Sequence, residues 1–390
     1  MEKLSRADLI AKAEALGLKG VKSKTKAVLL TAITAAEAKD TAAAPIPAPL
    51  LTHAATPADP SQPTFIEVCA GCGGLSTGFM NAGFHPLLLN ELIAPFCETL
   101  KANHPGVLVE HKDMKALDLT KYNGQVDVLM GGVPCQAFSQ AGERKGLDDP
   151  RGQLIVEFNK LVNQVSPKIL MVENVAGLLT HEDGATLRGV LDLFANNGAY
   201  TVYHKLLNAV NYEVPQKRQR VFIVGIRNDI HTARGTFTYP VPSTKSVLLR
   251  DVLVDVPASP GASYPPAKRA VMDLVPQGGC WVDLPEDIKQ TYMGEAGMAA
   301  GGGKRGVARR LAMNEACLTL TTSPAQKQTE RCHPTETRPL TVREYARIQT
   351  FPDSYTFAGG VGNQYKQIGN AVPVKLAEAM GRRLREYLGL

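Results

Sequence analysis

Residues 64–79, "TFIEVCAGCGGLSTGF", decide the fold. The first half is an apolar run of strand length, and the second half opens a helix. Between them Gly71, Gly73 and Gly74 permit a tight turn and leave free backbone amides at a helix N-terminus, where an anionic group can settle. A strand, a glycine turn and a helix in that order begin an α/β sheet, whose ligands gather at the carboxyl ends of its strands.

Working outward, "FHPLLLNE" (84–91), "VDVLMGG" (126–132), "KILMVENV" (168–175) and "RVFIVGIR" (220–227) read as further buried strands. Amphipathic stretches near 94–103, 153–165 and 185–197 lie between them, which predicts a parallel sheet with helices on both faces. After residue 229 the rhythm is lost. Prolines, glycines and "AAGGGKRGVARR" fill 230–337, read as a separate irregular domain, and helices in 338–390 return to the α/β body of 64–229.

Upstream, residues 37–63 are rich in Ala, Pro and Thr and read as a linker. Residues 1–36 read as two short helices around a basic loop with Lys22, Lys24 and Lys26, and "LSRADLIAKAEALGLKGVKSKTKAVLLTAI" resembles the SAP family of DNA-binding modules. That resemblance implies phosphate contacts from these three lysines.

With 390 residues, 44% of them hydrophobic, the chain can bury a large core. The formal charge of +6 suits a polyanionic partner without identifying one. Seven cysteines, an odd number, and the lack of a secretory pattern make reduced intracellular thiols the expectation, and no apolar run is long enough for a membrane span. Cys69 and Cys72 imitate a metal CxxC, but no second pair follows, so no metal is expected.

Chemistry concentrates at the strand ends. Glu91 ends the second strand, where a nucleoside would need an acceptor for ribose hydroxyls, and Asp113 in "HKDM" could accept from an adenine amino group. "LMGGVPCQAFSQAGERKGLDDPRG" (129–152) places Cys135 after a proline at a polar strand end beside Gln136 and Ser139, an environment suited to a nucleophile. Glu173 emerges from a very apolar strand, where desolvation would raise its pKa and let it hold a proton. Arg218 and Arg220 alternate along "QKRQR", so both could point into one cleft.

In their order, "FIEVCAGCGG", "NE", "KD", "GGVPCQAFSQAG", "ENV", "QKRQR", "RPLTVREYARIQTFPDSY" and "QYKQIGNAVP" closely resemble the DNA cytosine carbon-5 methyltransferases over residues 64–390. The resemblance implies a Rossmann-like, S-adenosyl-L-methionine-dependent methyltransferase fold with a smaller target-recognition domain. It implies attack by Cys135 on carbon 6 of a flipped-out cytosine, proton donation from Glu173 to ring N3, Arg220 on the O2 side, and Arg218 bracing Glu173. By position, Glu67, Cys69, Gly71, Gly73, Gly74, Glu91, Leu92, Asp113, Asn370 and Ala371 would serve the cofactor. Cys69 and Leu92 replace the family's usual aromatics, and Ala371 a frequent serine. Gln136 and Ser139 would belong to a mobile loop over the flipped base. Thr319 and Leu320 would anchor a recognition loop, with Lys304, Arg305, Arg309 and Arg310 touching DNA. The expected partner is double-stranded DNA, with a restriction endonuclease of the same site as a second, and the expected state is an intracellular monomer, cytoplasmic if the chain is encoded by a bacterium or phage and otherwise wherever the DNA is. A transfer RNA methyltransferase and an inactive DNA-binding regulator are the competing readings.

Overall fold

The computed structural model describes residues 9–10, 13, 24–31, 33, 62–133, 150–299 and 306–390. Strands β1 (Thr64–Val68), β2 (His85–Glu91), β3 (Val109–His111), β4 (Val128–Gly131), β5 (Ile169–Val175), β6 (Tyr200–Asn208) and β8 (Gln219–Arg227) form one sheet in the order β3-β2-β1-β4-β5-β8-β6. β7 (Gln216–Lys217) and β9 (Cys317–Leu318) form a separate parallel pair. β1 to β5 are mutually parallel, but β8 runs antiparallel to both β5 and β6, so the all-parallel sheet expected from the sequence is corrected to a mixed one. β3 and β6 were not anticipated. β6 is an edge strand with exposed His204 and Lys205, a pattern that hides strand character and also guards an open edge.

Alternation along each strand builds two cores. Phe65, Met130, Ile169, Met171, Phe222 and Val224 face one side; Ile66, Leu129, Leu170, Val172, Val221 and Ile223 face the other. The second face is covered by α3 (Pro150–Val165) and α4 (Ala185–Ala195), through Phe158, Val162, Val190 and Phe194. The first is covered by α1 (Gly74–Asn81), with α2 (Ala94–Asn103) beside it and the last helix of the chain, Val374–Leu388, across it. That last helix buries Ala377, Met380, Leu384 and Leu388 at helical spacing. It approaches α1 closely enough that a Cβ on Gly78 would lie 2.4 Å from the Ala377 methyl.

Phe237 and Tyr239 still pack into the main core, and the Tyr239 hydroxyl donates to the Phe222 carbonyl. The chain therefore leaves the α/β body later than residue 230. Tyr264, Met272, Trp281, Leu284, Val307 and Cys332 then form a small core of their own. A further cluster, with Leu311, Cys317, Leu320, Tyr345 and Ile368, joins this region to helices Val342–Ile348 and Val361–Asn370. Among the described N-terminal residues, Leu9, Ala13, Leu29 and Ile33 are buried together.

Candidate active site

The carboxyl ends of β1, β2, β4 and β5 open into a cleft of about 420 Å³. Glu67, Cys69, Gly71 and Gly74 line it from the first turn, Glu91, Ile93 and Phe96 from beyond β2, Glu173, Arg218 and Arg220 from the far side, and Asn370 and Ala371 from the C-terminal segment. The glycines divide their work. Gly71 has φ +59° and a Cβ there would meet nothing within 4 Å, so it leaves open space. A Cβ on Gly74 would lie 2.3 Å from the Val372 carbonyl, and one on Gly73, which caps α1, 2.6 Å from the Tyr355 hydroxyl. Gly73 is thus required by packing and does not line the cleft.

The Glu91 carboxylate is tied down by its surroundings: it accepts from the amides of Gly71 (2.8 Å), Leu92 (2.8 Å) and Ile93 (2.9 Å). Burial raises its pKa and these amides oppose the rise. Of about four acceptor positions on a carboxylate, three are occupied and one is left for a ligand hydroxyl. Leu92 is 59% exposed and does not line the cleft. Asp113 is also exposed and outside it, accepting from the Lys115 amide at 2.9 Å. Of the residues expected to serve the cofactor, Leu92 and Asp113 therefore do not line the cleft, whereas Cys69 does.

At the other end Glu173 is 8% exposed, with Arg220 Nε 2.8 Å from its Oε1. Burial raises its pKa, against the opposing charges of Arg220 and Arg218. Arg220, expected on the O2 side, is the arginine that holds Glu173. Arg218, expected to brace Glu173, instead donates to the carbonyls of Leu320 (3.1 Å) and Asn370 (3.2 Å) from a fully buried position, where desolvation lowers its pKa to about 9. Arg218 and Arg220 still line one cleft, as their alternation predicts, although the strand is interrupted between Lys217 and Gln219. Beside Glu173, Asn174 donates to the Val133 carbonyl at 2.8 Å, fixing the chain two residues before Cys135. Cys135, Gln136 and Ser139 lie outside the described residues.

The segment around Thr319 is fastened to this end. β9 pairs with β7, Thr319 Oγ1 donates to the Lys217 carbonyl (2.8 Å), and the Leu320 amide donates to Gln216 Oε1 (2.9 Å). Gln216, fully buried, then donates to Gln349 Oε1. This polar relay was not anticipated; its only signal was a glutamine beside the arginines. Leu320 is buried, whereas Thr319 lines a second cavity of about 400 Å³ with Asn208, Lys217, Gln219 and Arg220.

Arg310 is a correction. Expected on DNA, it is 6% exposed and donates to the carbonyls of Val275 (2.7 Å) and Met272 (2.6 Å) and to Thr337 Oγ1 (2.9 Å). Arg309 is also largely covered, 3.6 Å from Glu315. Lys304, Arg305 and Lys22 lie outside the described residues, while Lys24 and Lys26 are exposed. Removing Arg310 strands several buried acceptors, so Arg310→Ala should cost about 3 kcal/mol of stability in denaturant unfolding. Unchanged stability with weakened DNA binding would restore the surface role.

The chain matches the model of the C-5 cytosine-specific DNA methylase family over residues 63–386. It belongs to that family: it is an enzyme that methylates carbon 5 of cytosine in DNA, with S-adenosyl-L-methionine as methyl donor. It is 49% identical to the Type II methyltransferase M.Eco47II of Escherichia coli over 334 residues, 83% of this chain and 79% of that one. It is also 49% identical to M.Sau96I of Staphylococcus aureus over 326 residues, 83% and 75% of the two chains. Both relatives are Type II methyltransferases. The solved methyltransferase Dnmt2 of S. pombe shares the fold, with a TM-score of 0.57 at 15% identity over 84% of this chain and all of that one. The cleft fits the donor: Gly71 leaves room, Glu91 keeps an acceptor position, and Glu67 presents a buried carboxylate oxygen with no hydrogen-bond partner among the described residues.

Proposed function

We propose that the chain methylates one cytosine flipped out of a specific duplex sequence, through a covalent bond to Cys135. Cytosine carbon 5 is too weakly nucleophilic to take a methyl group unaided. Addition of the Cys135 thiolate to carbon 6 converts the ring to an enamine while Glu173 donates a proton to N3, and carbon 5 becomes reactive. Arg220 orients Glu173. S-adenosyl-L-methionine supplies the electrophilic methyl group. Loss of the carbon-5 proton to a base, with expulsion of the Cys135 thiolate and return of the N3 proton to Glu173, restores the aromatic ring and regenerates both residues. Glu91 and Asn370 hold the donor, and Thr319 with Lys217 meets a phosphate beside the flipped nucleotide.

The observation that carries this reading is the buried Glu173–Arg220 pair at 2.8 Å, on the wall of the same cleft as Gly71 and Glu91. Transfer of labelled methyl from the donor to duplex DNA tests it, and bisulfite sequencing of DNA from an expressing host identifies the cytosine. Transfer to transfer RNA in place of duplex DNA would overturn it.

Residues 230–337 are assigned to target recognition, and the protein to a monomer in the cytoplasm, paired with an endonuclease of the same specificity. No helix among the described residues is long and apolar enough to cross a membrane. The N-terminal segment, which lies outside the family match, is assigned a SAP-like, sequence-independent grip on phosphates. Deleting residues 1–60 should leave the methylated sequence and the rate at saturating DNA unchanged while weakening duplex binding and flattening its salt dependence. Neutralising Lys22, Lys24 and Lys26 together should reproduce most of that loss. Equal binding by the truncated and full chains across a salt series would remove the assignment.

A further inference from the structure

Glu67 is the one carboxyl of the cleft that the mechanism above does not employ. It sits in β1 on the face shared with Phe65, 1% exposed. Its Oε2 finds no hydrogen-bond partner among the described residues, and only Ser76 on α1, through its backbone amide and its hydroxyl, opposes the effect of burial on it. The charged and titratable groups acting on it do not neutralise it. Glu91 reaches it from β2 and Glu173 from β5, both negative when ionised. Cys69 and Cys72 in the adjoining turn and Tyr355 from the C-terminal segment are all driven by burial toward their neutral forms. Glu173 has Arg220 and Glu91 has three amides, but Glu67 has no cation of its own among the described residues.

A buried carboxyl in that position is neutral until a positive charge arrives. Burial, aided by Glu91 and Glu173, pushes the Glu67 pKa up to about 8. We propose that Glu67 receives a positively charged group of the methyl donor and gives up its proton to solvent as the donor binds, so that donor capture is coupled to release of one proton. The donor offers two such groups, a sulfonium and an α-ammonium; the demethylated product keeps only the second. This inference rests on the cleft being the donor site.

Calorimetric titration of the full chain with S-adenosyl-L-methionine, in buffers of different ionisation heat at neutral pH, counts the protons exchanged. About one proton should leave per donor bound, and the dissociation constant should fall up to about tenfold per pH unit between pH 6 and 7. Glu67→Gln should abolish both effects, Glu67→Asp should retain the release, and Glu173→Gln should also retain it. The same titration with S-adenosylhomocysteine separates the charges: equal release assigns the ammonium, and release with the donor alone assigns the sulfonium. Donor binding that releases no proton, or as many in Glu67→Gln as in the parent, overturns the proposal alone. Failure of the parent to bind either ligand would overturn the donor site as well.

Discussion

Cys135→Ser is expected to reduce methyl transfer by about 10,000-fold or more while leaving duplex binding in place. The size follows from the chemistry. A serine hydroxyl at neutral pH carries almost no alkoxide, so carbon 6 is not attacked and carbon 5 stays unreactive. Binding draws on phosphate and groove contacts that do not involve the thiol. Initial rates with labelled donor and a gel-shift titration on the same duplex check both halves. Turnover within tenfold of the parent would exclude the thiol as the nucleophile.

Glu173→Gln should slow the reaction by roughly 100- to 10,000-fold, the range for loss of a positioned acid. The amide keeps the shape and a hydrogen-bond donor but has no proton to transfer, and it removes the negative partner of Arg220, 2.8 Å away. Because burial raises the Glu173 pKa, the parent holds its proton to higher pH than a free carboxyl, and its rate should fall as pH rises past that raised value. The variant should lack this limb of the profile. Single-turnover rates across a pH series read both effects, and an unchanged rate would take Glu173 out of the proton-transfer role.

Much of the architecture was visible in local pattern. β1, β2, β4, β5 and β8 are all buried runs bounded by polar or glycine-rich turns, and their positions agree with the apolar stretches within a few residues. What local pattern could not carry is direction and edge. The antiparallel placement of β8 against β5 is a tertiary choice, and β6 carries exposed charge because one of its edges is open. The cleft was legible wherever a residue sits at a strand end, as Glu91 and Glu173 do. It was misread where a basic residue was assumed to face solvent. Arg310 follows glycines and other cations in sequence, yet its donors satisfy the carbonyls of Val275 and Met272. Arg218 lines the cleft with Arg220, as the alternation predicts, but its guanidinium donates to Leu320 and Asn370 and not to Glu173. Neither outcome follows from residue type, since a buried arginine and an exposed one have the same letter and differ only in the acceptors that folding brings near.

The covalent mechanism is tested most directly by a duplex carrying 5-fluorocytosine at the methylated position, incubated with the full chain and the methyl donor and then denatured. After methyl transfer the fluorine on carbon 5 cannot leave as a proton does, so Cys135 cannot be expelled. A protein–DNA adduct stable to denaturation should form with the parent, map to Cys135 by peptide mass, and be absent with Cys135→Ser. Absence of any adduct from a preparation that methylates the unmodified duplex at full rate would contradict covalent attack by Cys135.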